Sequence, residues 1–520
     1  MFKRLINAIR RFIRNMLTRN NVKKTMDLDV AVSDKMLNAI GLWTDMFENT
    51  PPWTSDTCKP RNIPAVICGR VSRYVMIENA WSISGNTPMA AYLTEQFKPF
   101  MNNIKDMIAK MCALGGIVIK PYVLGDRIVS DIVDAGSFFP VQFDKVNGIT
   151  AAVFPEYLTQ GKVVYTRIEY HKWEIRDDVH KVNEMGEEIH DAAGNPILET
   201  AGVHTIINRA FRKESMQGQS TEDVDDLGKE VPLTAVPEWE SITPEIVFSH
   251  IDRPMFVYIS TPVVNNIDKD SPLGASIYSM AVPDIRDADE RWNDLSWEYK
   301  ATQAAVFVSD DLIRPIPIPG TGTAAVANGT VQVPSGDPFG RAYNALNERQ
   351  KRLYQIVDID DGQDKKIQPY SPTIRDQSIL NGYQATLRKI EFDCSLSYGM
   401  ISDPNQIEKT ATEIKSSKQT FYALVDDLQS KNLGPGLEAT IYIYHALALL
   451  YHLAPEGKAE LTISWGDGIL EDSDKEYQRR WQMVLAGKLK PEKFMAWYFG
   501  VDEETALSMM PGNTTIPAEE

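Results

Sequence analysis

The sequence predicts an α+β chain of several domains, on three observations. Apolar residues recur at three-and-four spacing as far as Leu114, alternate between Ile117 and Ser260, and return to helical spacing after Ser271. A stretch rich in proline and glycine separates two of the later helical segments. The chain has 520 residues, too many for a single hydrophobic core.

The first helical region contains "VSDKMLNAIGLWTDMF" (32–47) and "PMAAYLTEQFKPFMNNIKDMIAKMCALGG" (88–116), the second closed by Gly115-Gly116. Strands come next in "GIVIKPYVLGDRIVSDIV" and "GKVVYTRIEYHKWEI". In the latter, Val164, Thr166, Ile168 and Tyr170 alternate with Arg167, Glu169 and His171. "DAAGNPILE" has the residues of a hairpin turn, and "EVPLTAVPEWESITPEIVF" reads as a proline-punctuated connection.

Residues 271–302 are expected to form one long helix, kinked at Pro283 and about 45 Å long. Ile285, Ala288 and Trp292 share one face, as do Trp292, Leu295 and Tyr299. The stretch "DLIRPIPIPGTGTAAVANGTVQVPSGDPFG" has five prolines and five glycines, which favour short strands and loops over helix. A returning helix is expected from Thr373 to about Gly399, striped by Ile379, Tyr383, Leu387, Ile390 and Cys394. Asp403-Pro404 interrupts it. Thr410 and Glu413 form a capping box for the next helix, whose buried stripe is Ile414, Phe421, Leu424, Val425 and Leu428. Gly434-Pro435-Gly436 is expected to break that helix, which resumes to Leu453. The tail reads as helical: Ser473 with Glu476 caps one helix, Gly487 ends it, Pro491 opens the next, Gly500 ends that, and Asp502 caps a last short one.

Charge is uneven. The net charge is −17, yet residues 1–24 carry eight Lys or Arg and no acid. The acidic body argues against a sequence-specific DNA reader. The basic N-terminal arm (1–25), with Lys3, Arg4, Arg10, Arg11 and Arg14, has an apolar helical face and suits a membrane surface, an anionic polymer or a neighbouring protein. Cys58, Cys68, Cys112 and Cys394 form no CxxC pair, and no run of eighteen apolar residues occurs.

Catalytic signatures are absent: no GxxxxGK[ST], HExxH or GxSxG, and no GxGxxG after a strand. "DIDDGQDKK" fails as a calcium loop because its glycine comes one place early and Pro369 stands where a bidentate Glu is needed. The acidic run 467–476 reads as a solvated helix start. His171, His180 and His190 read as packed or exposed residues, and His445 as a hydrogen-bonded core histidine. The tryptophans read as core and interface anchors. No metal, cofactor or small-molecule substrate is expected, and the chain reads as structural, not as an enzyme.

The order of elements resembles the portal protein of tailed bacteriophages, in a long-tailed phage subfamily. Three stretches carry the likeness: "VSDKMLNAIGLWTDMFENTPPW" (32–53), "NNIDKDSPLGASIY" (265–278) and "EKTATEI" (408–414). The resemblance implies an α+β wing (26–270), a stem helix (271–304), a small β-containing clip (305–372) and a returning stem helix (373–398). Beyond these it implies a tunnel loop (399–410), a long wing or crown helix (411–453) and a helical crown (454–520). It further implies a ring, commonly of twelve copies, at one capsid vertex, passing double-stranded DNA non-specifically. The expected tunnel-loop residues are Tyr398, Gly399, Met400, Ser402, Asp403, Asn405, Gln406, Glu408 and Lys409. The clip, with Arg314, Ile316, Ile318, Phe339 and Arg341, would dock the terminase motor and later the head-tail connector. The basic arm would meet major capsid protein, scaffold protein or DNA. The implied location is the virion, after assembly in the host cytoplasm. Two alternatives stand beside this reading: another capsid or tail adaptor, and a membrane-associated protein held by the basic arm.

Overall fold

In the computed structural model, residues 19–182, 188–191, 193–214, 227–302, 305–309, 354–357, 367–370, 373–404, 411–465, 473–499 and 503–509 are described. The chain divides into two compact units. One comprises residues 1–52, 61–282 and 390–520, and the other 53–60 and 283–389.

The first unit opens with α1 (Arg19–Met26), α2 (Asp34–Phe47) and α3 (Ile63–Val75). Ser33 caps α2 by accepting the Met36 N–H at 3.3 Å, and its own N–H donates to Asp268 at 3.0 Å. The apolar stripe of α2 buries Met36, Ile40, Trp43 and Met46. Strand β1 (Ala80–Ser84) precedes α4 (Pro88–Asn102) and α5 (Ile104–Leu114), so the single helical run expected over 88–114 is two helices meeting at Asn103.

Next come β2 (Gly116–Leu124), β3 (Arg127–Asp134), β4 (Phe139–Asp144), β5 (Gly148–Gln160), β6 (Val163–His180), β7 (Leu198–Glu214), β8 (Lys229–Val231), β9 (Glu245–Ser249) and β10 (Val257–Ser260). They form a three-stranded sheet in the order β10-β2-β3 and a six-stranded sheet in which β4 to β8 lie in sequence and β9 pairs with β7. The β6–β7 ladder runs from Val163 opposite Glu214 to His180 opposite Leu198. The predicted turn is present beyond it: the Asp191 carbonyl accepts the Gly194 N–H at 3.0 Å, and the Asp191 N–H donates to Asn195 at 2.8 Å.

Residues 271–281 are not helical, contrary to expectation. Their polar groups are used sideways. Thr261 donates its hydroxyl to the Ala275 carbonyl, Ser276 donates its hydroxyl to the Cys112 carbonyl, and Ile277 N–H donates to that same carbonyl at 3.0 Å. Gly274 and Gly115 meet backbone to backbone. A Cβ on Gly274 would lie 2.3 Å from the Gly115 carbonyl oxygen, so "SPLGASIY" needs its glycine.

The second unit holds most of α6 (Val282–Ala301), strands β11 (Ala305–Ser309), β12 (Tyr354–Val357) and β13 (Ile367–Tyr370), and most of α7 (Asp376–Asp393). Helix α6 has 20 residues, so the expected thirty-residue helix is shorter and Pro283 lies in its first turn instead of kinking it. The strands form one sheet in the order β12-β11-β13, with Pro369 on an edge strand.

Helices α6 and α7 are clamped at both ends. Lys389 donates to Asp284 at 2.8 Å, and Arg375 binds Glu298 through two guanidinium nitrogens at 2.9 and 3.0 Å and through its own N–H at 3.2 Å. Fourteen residues separate Asp284 from Glu298 along α6, about 21 Å of helix, and fourteen separate Arg375, just before α7, from Lys389. The helices are therefore antiparallel and in step. Trp292 meets Tyr383 between the clamps, with ring centroids 5.3 Å apart. Asp289, also covered, accepts the Trp53 indole N–H at 2.9 Å.

Back in the first unit, α8 (Ala411–Asp426) runs through a π-helical segment (Asp427–Leu433) into α9 (Gly434–Leu450). Gly434-Pro435-Gly436 does not break the helix. The Gly434 N–H bonds to the Gln429 carbonyl five residues back, and Pro435 sits in the first turn of α9, where its missing N–H is cheap. The tail is less helical than expected. β14 (Glu460–Ser464) pairs antiparallel with β1 before α10 (Ser473–Leu485), α11 (Pro491–Phe499) and α12 (Glu503–Met509). Gly487 takes φ +66° after α10, and Pro491 opens α11, as predicted. Ser473 is itself helical, whereas the expected caps Thr410 and Asp502 and the expected stop Gly500 lie outside the described residues.

Candidate functional site

Helix α7 ends earlier than expected, at Asp393. Ser395 takes the left-handed conformation (φ +55°), which reverses the chain. Its N–H bonds to the Phe392 carbonyl at 3.1 Å, and the Leu396 N–H bonds to the Glu391 carbonyl at 2.8 Å. This pair is a Schellman closure with serine at the usual glycine position. The Leu396 side chain directly after it is buried.

The chain then wraps around the side chain of Glu391. That carboxylate is 0% exposed. Oε1 accepts the N–H groups of Ile401 at 2.7 Å and Ser402 at 2.9 Å. Oε2 accepts the N–H of Gly399 at 3.2 Å and the hydroxyl of Ser402 at 2.8 Å. Four donors thus offset the cost of burying the charge. Tyr398 N–H donates to the Ser417 hydroxyl on α8 at 2.8 Å, tying the same segment to the outgoing helix. Gly399, at φ +82°, packs beside Pro404.

A second buried charge cluster lies where the two large sheets of this unit meet. Glu169 on β6 accepts from Lys120 on β2 at 2.8 Å, and Arg167 lies 3.2 Å from the same oxygen. Arg167 also donates to Glu156 and to Asn208. Met255 N–H donates to His204 Nδ1 at 3.4 Å, which leaves His204 Nε2–H to donate to His171 Nδ1 at 3.0 Å and His171 Nε2–H to donate to Glu169 Oε1 at 2.7 Å. Burial by itself would push the Glu169 carboxyl up, but the His171 hydrogen bond, Lys120 and Arg167 hold it well below the usual carboxylate range. Burial lowers both histidines. His204 is pushed further, by the neighbouring His171, while Glu169 partly offsets the fall at His171. The polar face of β6 is therefore interior because it stands against a second sheet.

The three buried cysteines, scattered in sequence, all lie close to Tyr278, and burial pushes the Cys112 thiol up to about 12. Among the described residues no group of His, Cys, Asp and Glu side chains is arranged to hold a metal ion. No helix among them is long and apolar enough to cross a membrane.

Residues 94–510 match the family model described as "Phage portal protein, SPP1 Gp6-like". The chain belongs to this phage portal family. No curated protein matches. Among solved structures, a chain from "Neck of native GTA particle computed with C12 symmetry" is 10% identical, over 85% of this chain and 91% of that chain, with a TM-score of 0.35.

The family match agrees with the resemblance read from the sequence, and the fold is α+β as predicted. Among the expected tunnel-loop residues, Tyr398, Gly399, Met400, Ser402 and Asp403 lie together after α7. Among them Ser402 is 5% exposed, with its hydroxyl bound to Glu391. Asn405, Gln406, Glu408 and Lys409 lie outside the described residues. So do Arg314, Ile316, Ile318, Phe339 and Arg341 of the expected docking region, and Lys3, Arg4, Arg10, Arg11 and Arg14 of the arm. Sequence pattern alone does not single out Glu391, Ser417 or His204. A signal for Glu391 exists: it falls four residues after Leu387 and three before Cys394, on the apolar stripe.

Proposed function

We propose that this chain assembles as a closed ring of twelve copies at one vertex of a phage capsid, where it is the conduit for double-stranded DNA during packaging and ejection. The observation that carries this reading is the family match across residues 94–510. In this reading α6 and α7 are the stem helices, the β12-β11-β13 sheet belongs to the clip, and residues 399–410 form the tunnel loop. The terminase motor, which supplies ATP hydrolysis, docks on the clip and is later replaced by the head-tail connector. The basic arm meets capsid or scaffold protein outside the channel. Assembly takes place in the host cytoplasm, and the finished ring resides in the virion. Portal proteins are structural in general, and this one is assigned no catalytic step.

The charge supports passage over capture. Each copy carries −17, so twelve carry −204. A channel little wider than DNA keeps its wall within about one Debye length, ~10 Å, of the phosphates, and repulsion persists across that gap. The acids that bear on this are fewer than the sequence indicates. Asp284, Asp289 and Glu298 on α6 and Glu391 on α7 are covered, whereas Asp287, Glu290 and Asp294 are exposed. Neutralising the exposed three is expected to slow ejection or trap DNA, measured as DNA release from filled particles. Normal packaging and release in the triple variant would count against the slippery-wall account.

The reading is tested by mass photometry and negative-stain electron microscopy of the purified full-length protein. Rings with a central hole and a mass near twelve subunits are expected. A compact dimer without a channel would overturn the proposal.

A further inference from the structure

The geometry points to Glu391 as the positioning residue of the tunnel loop: its carboxylate holds residues 399–402 as a fixed collar, and the loop's reach is counted from Asp403. This inference rests on the reading of 399–410 as the channel loop.

A carboxylate is poorly placed at this point by every local rule. It lies in the last turn of α7, where the helix dipole is negative. It is completely removed from water, which is costly for a charge. Compensation comes from the Gly399, Ile401 and Ser402 N–H groups and the Ser402 hydroxyl, all contributed by the loop's first limb. The backbone of Glu391 closes the helix through Leu396, while its side chain organises the limb that leaves the helix. A single residue thus fixes both the end of the stem helix and the path of the departing chain. The Tyr398 bond to Ser417 ties the collar to α8, so the first limb is held to both flanking helices.

The collar has a geometric consequence. Holding 399–402 takes four residues out of the span that can move, which shortens its out-and-back reach by about 6–7 Å. If the collar were released, the loop could reach further into the channel and its contact with DNA would be less defined. The collar also removes Gly399, Ile401 and Ser402 N–H groups from the pool of donors for phosphate, since all three are occupied. Contact with DNA then falls to the residues after Ser402.

Hydrogen exchange on the full-length protein tests the collar, with Glu391→Ala, Ser402→Ala and a deletion of 404–409 compared with wild type. In Glu391→Ala the amides of residues 399, 401 and 402 are expected to exchange at least about tenfold faster, with α9 unchanged. Added acetate, a free carboxylate, is expected to slow them again. DNA content per particle is expected to fall toward that of the deletion. Unchanged protection at 399–402, or wild-type DNA content in Glu391→Ala when the deletion fails to package, would overturn the inference. If Glu391→Ala does not fold, Ser402→Ala decides. Faster exchange confined to 399–402 supports the collar, and unchanged exchange there overturns it. A deletion that packages normally would instead overturn the channel-loop reading, while the exchange and acetate results still judge the collar.

Discussion

Two buried carboxylates in the first unit are held in different ways. Glu169 is gripped by side chains: Lys120, Arg167 and His171 converge on it from two sheets. Glu391 is gripped by three backbone N–H groups of a single segment and by one serine hydroxyl. Cations and an imidazole joined to a carboxylate lock two layers together without dictating any loop. Backbone donors have no freedom apart from the chain itself, so a carboxylate bound to them dictates the chain's course. The first arrangement builds a body, and the second aims a segment.

The largest effect expected from this contrast is at Glu169. Glu169→Ala leaves Lys120 and Arg167 without their shared buried anion and is expected to cost about 3–5 kcal/mol of unfolding free energy. Denaturant titration checks it, and a loss below about 1 kcal/mol would break the comparison. Glu391→Gln is expected to cost about 1–3 kcal/mol, because an amide carries one acceptor oxygen and turns N–H groups toward N–H groups. Its damage should be local, so hydrogen exchange in the β6–β7 ladder should stay as in wild type.

Acidification sharpens the contrast. His171 and His204 are both held below the ordinary histidine pKa, so the unfolded chain binds their protons first. Their contribution is complete above about pH 6.5 and is lost as pH falls through the folded values, by up to about 1.4 kcal/mol per pH unit for each. Glu169, also depressed, acts in the same direction below about pH 4.5. Unfolding midpoints should therefore drop as pH falls below about 6.5, and His204→Gln should flatten that slope. An unchanged slope would show that the histidines are not held neutral.

Smaller effects are expected at the edges. Ser395→Gly relieves a left-handed non-glycine residue and should stabilise by about 1 kcal/mol, read as a higher thermal midpoint. A double-mutant cycle on Asp284 and Lys389 should give a coupling of about 0.2–1 kcal/mol, since the lysine is 62% exposed.

Much of this fold is legible from local pattern. The stripe of α7 is a case: Tyr383, Leu387, Ile390 and Cys394 are buried as predicted, and Ile379 is partly covered. So are Phe421, Val425 and Leu428, while Leu424 is only partly covered. The features that local pattern misses are set by distant partners. β1 and β14 are five residues each and gain their structure from one another, with Ser84 pairing Glu460 across 376 residues of chain. Residues 271–281 carry helical spacing, yet Cys112 and Thr261 use their polar groups first. The alternation of Arg167, Glu169 and His171 is visible in the sequence, but the second sheet that covers it is not. The place of Glu391 on the apolar stripe hints that it is covered, but its donors are backbone groups, which no side-chain pattern reports.

The most direct test of the account is a high-resolution electron cryomicroscopy map of the assembled full-length protein. A closed ring is expected, with residues 403–409 lining the narrowest part of its axial channel and the Glu391 carboxylate enclosed by residues 399–402. A ring whose 403–409 segment lies on the outer surface, away from the axis, would contradict it.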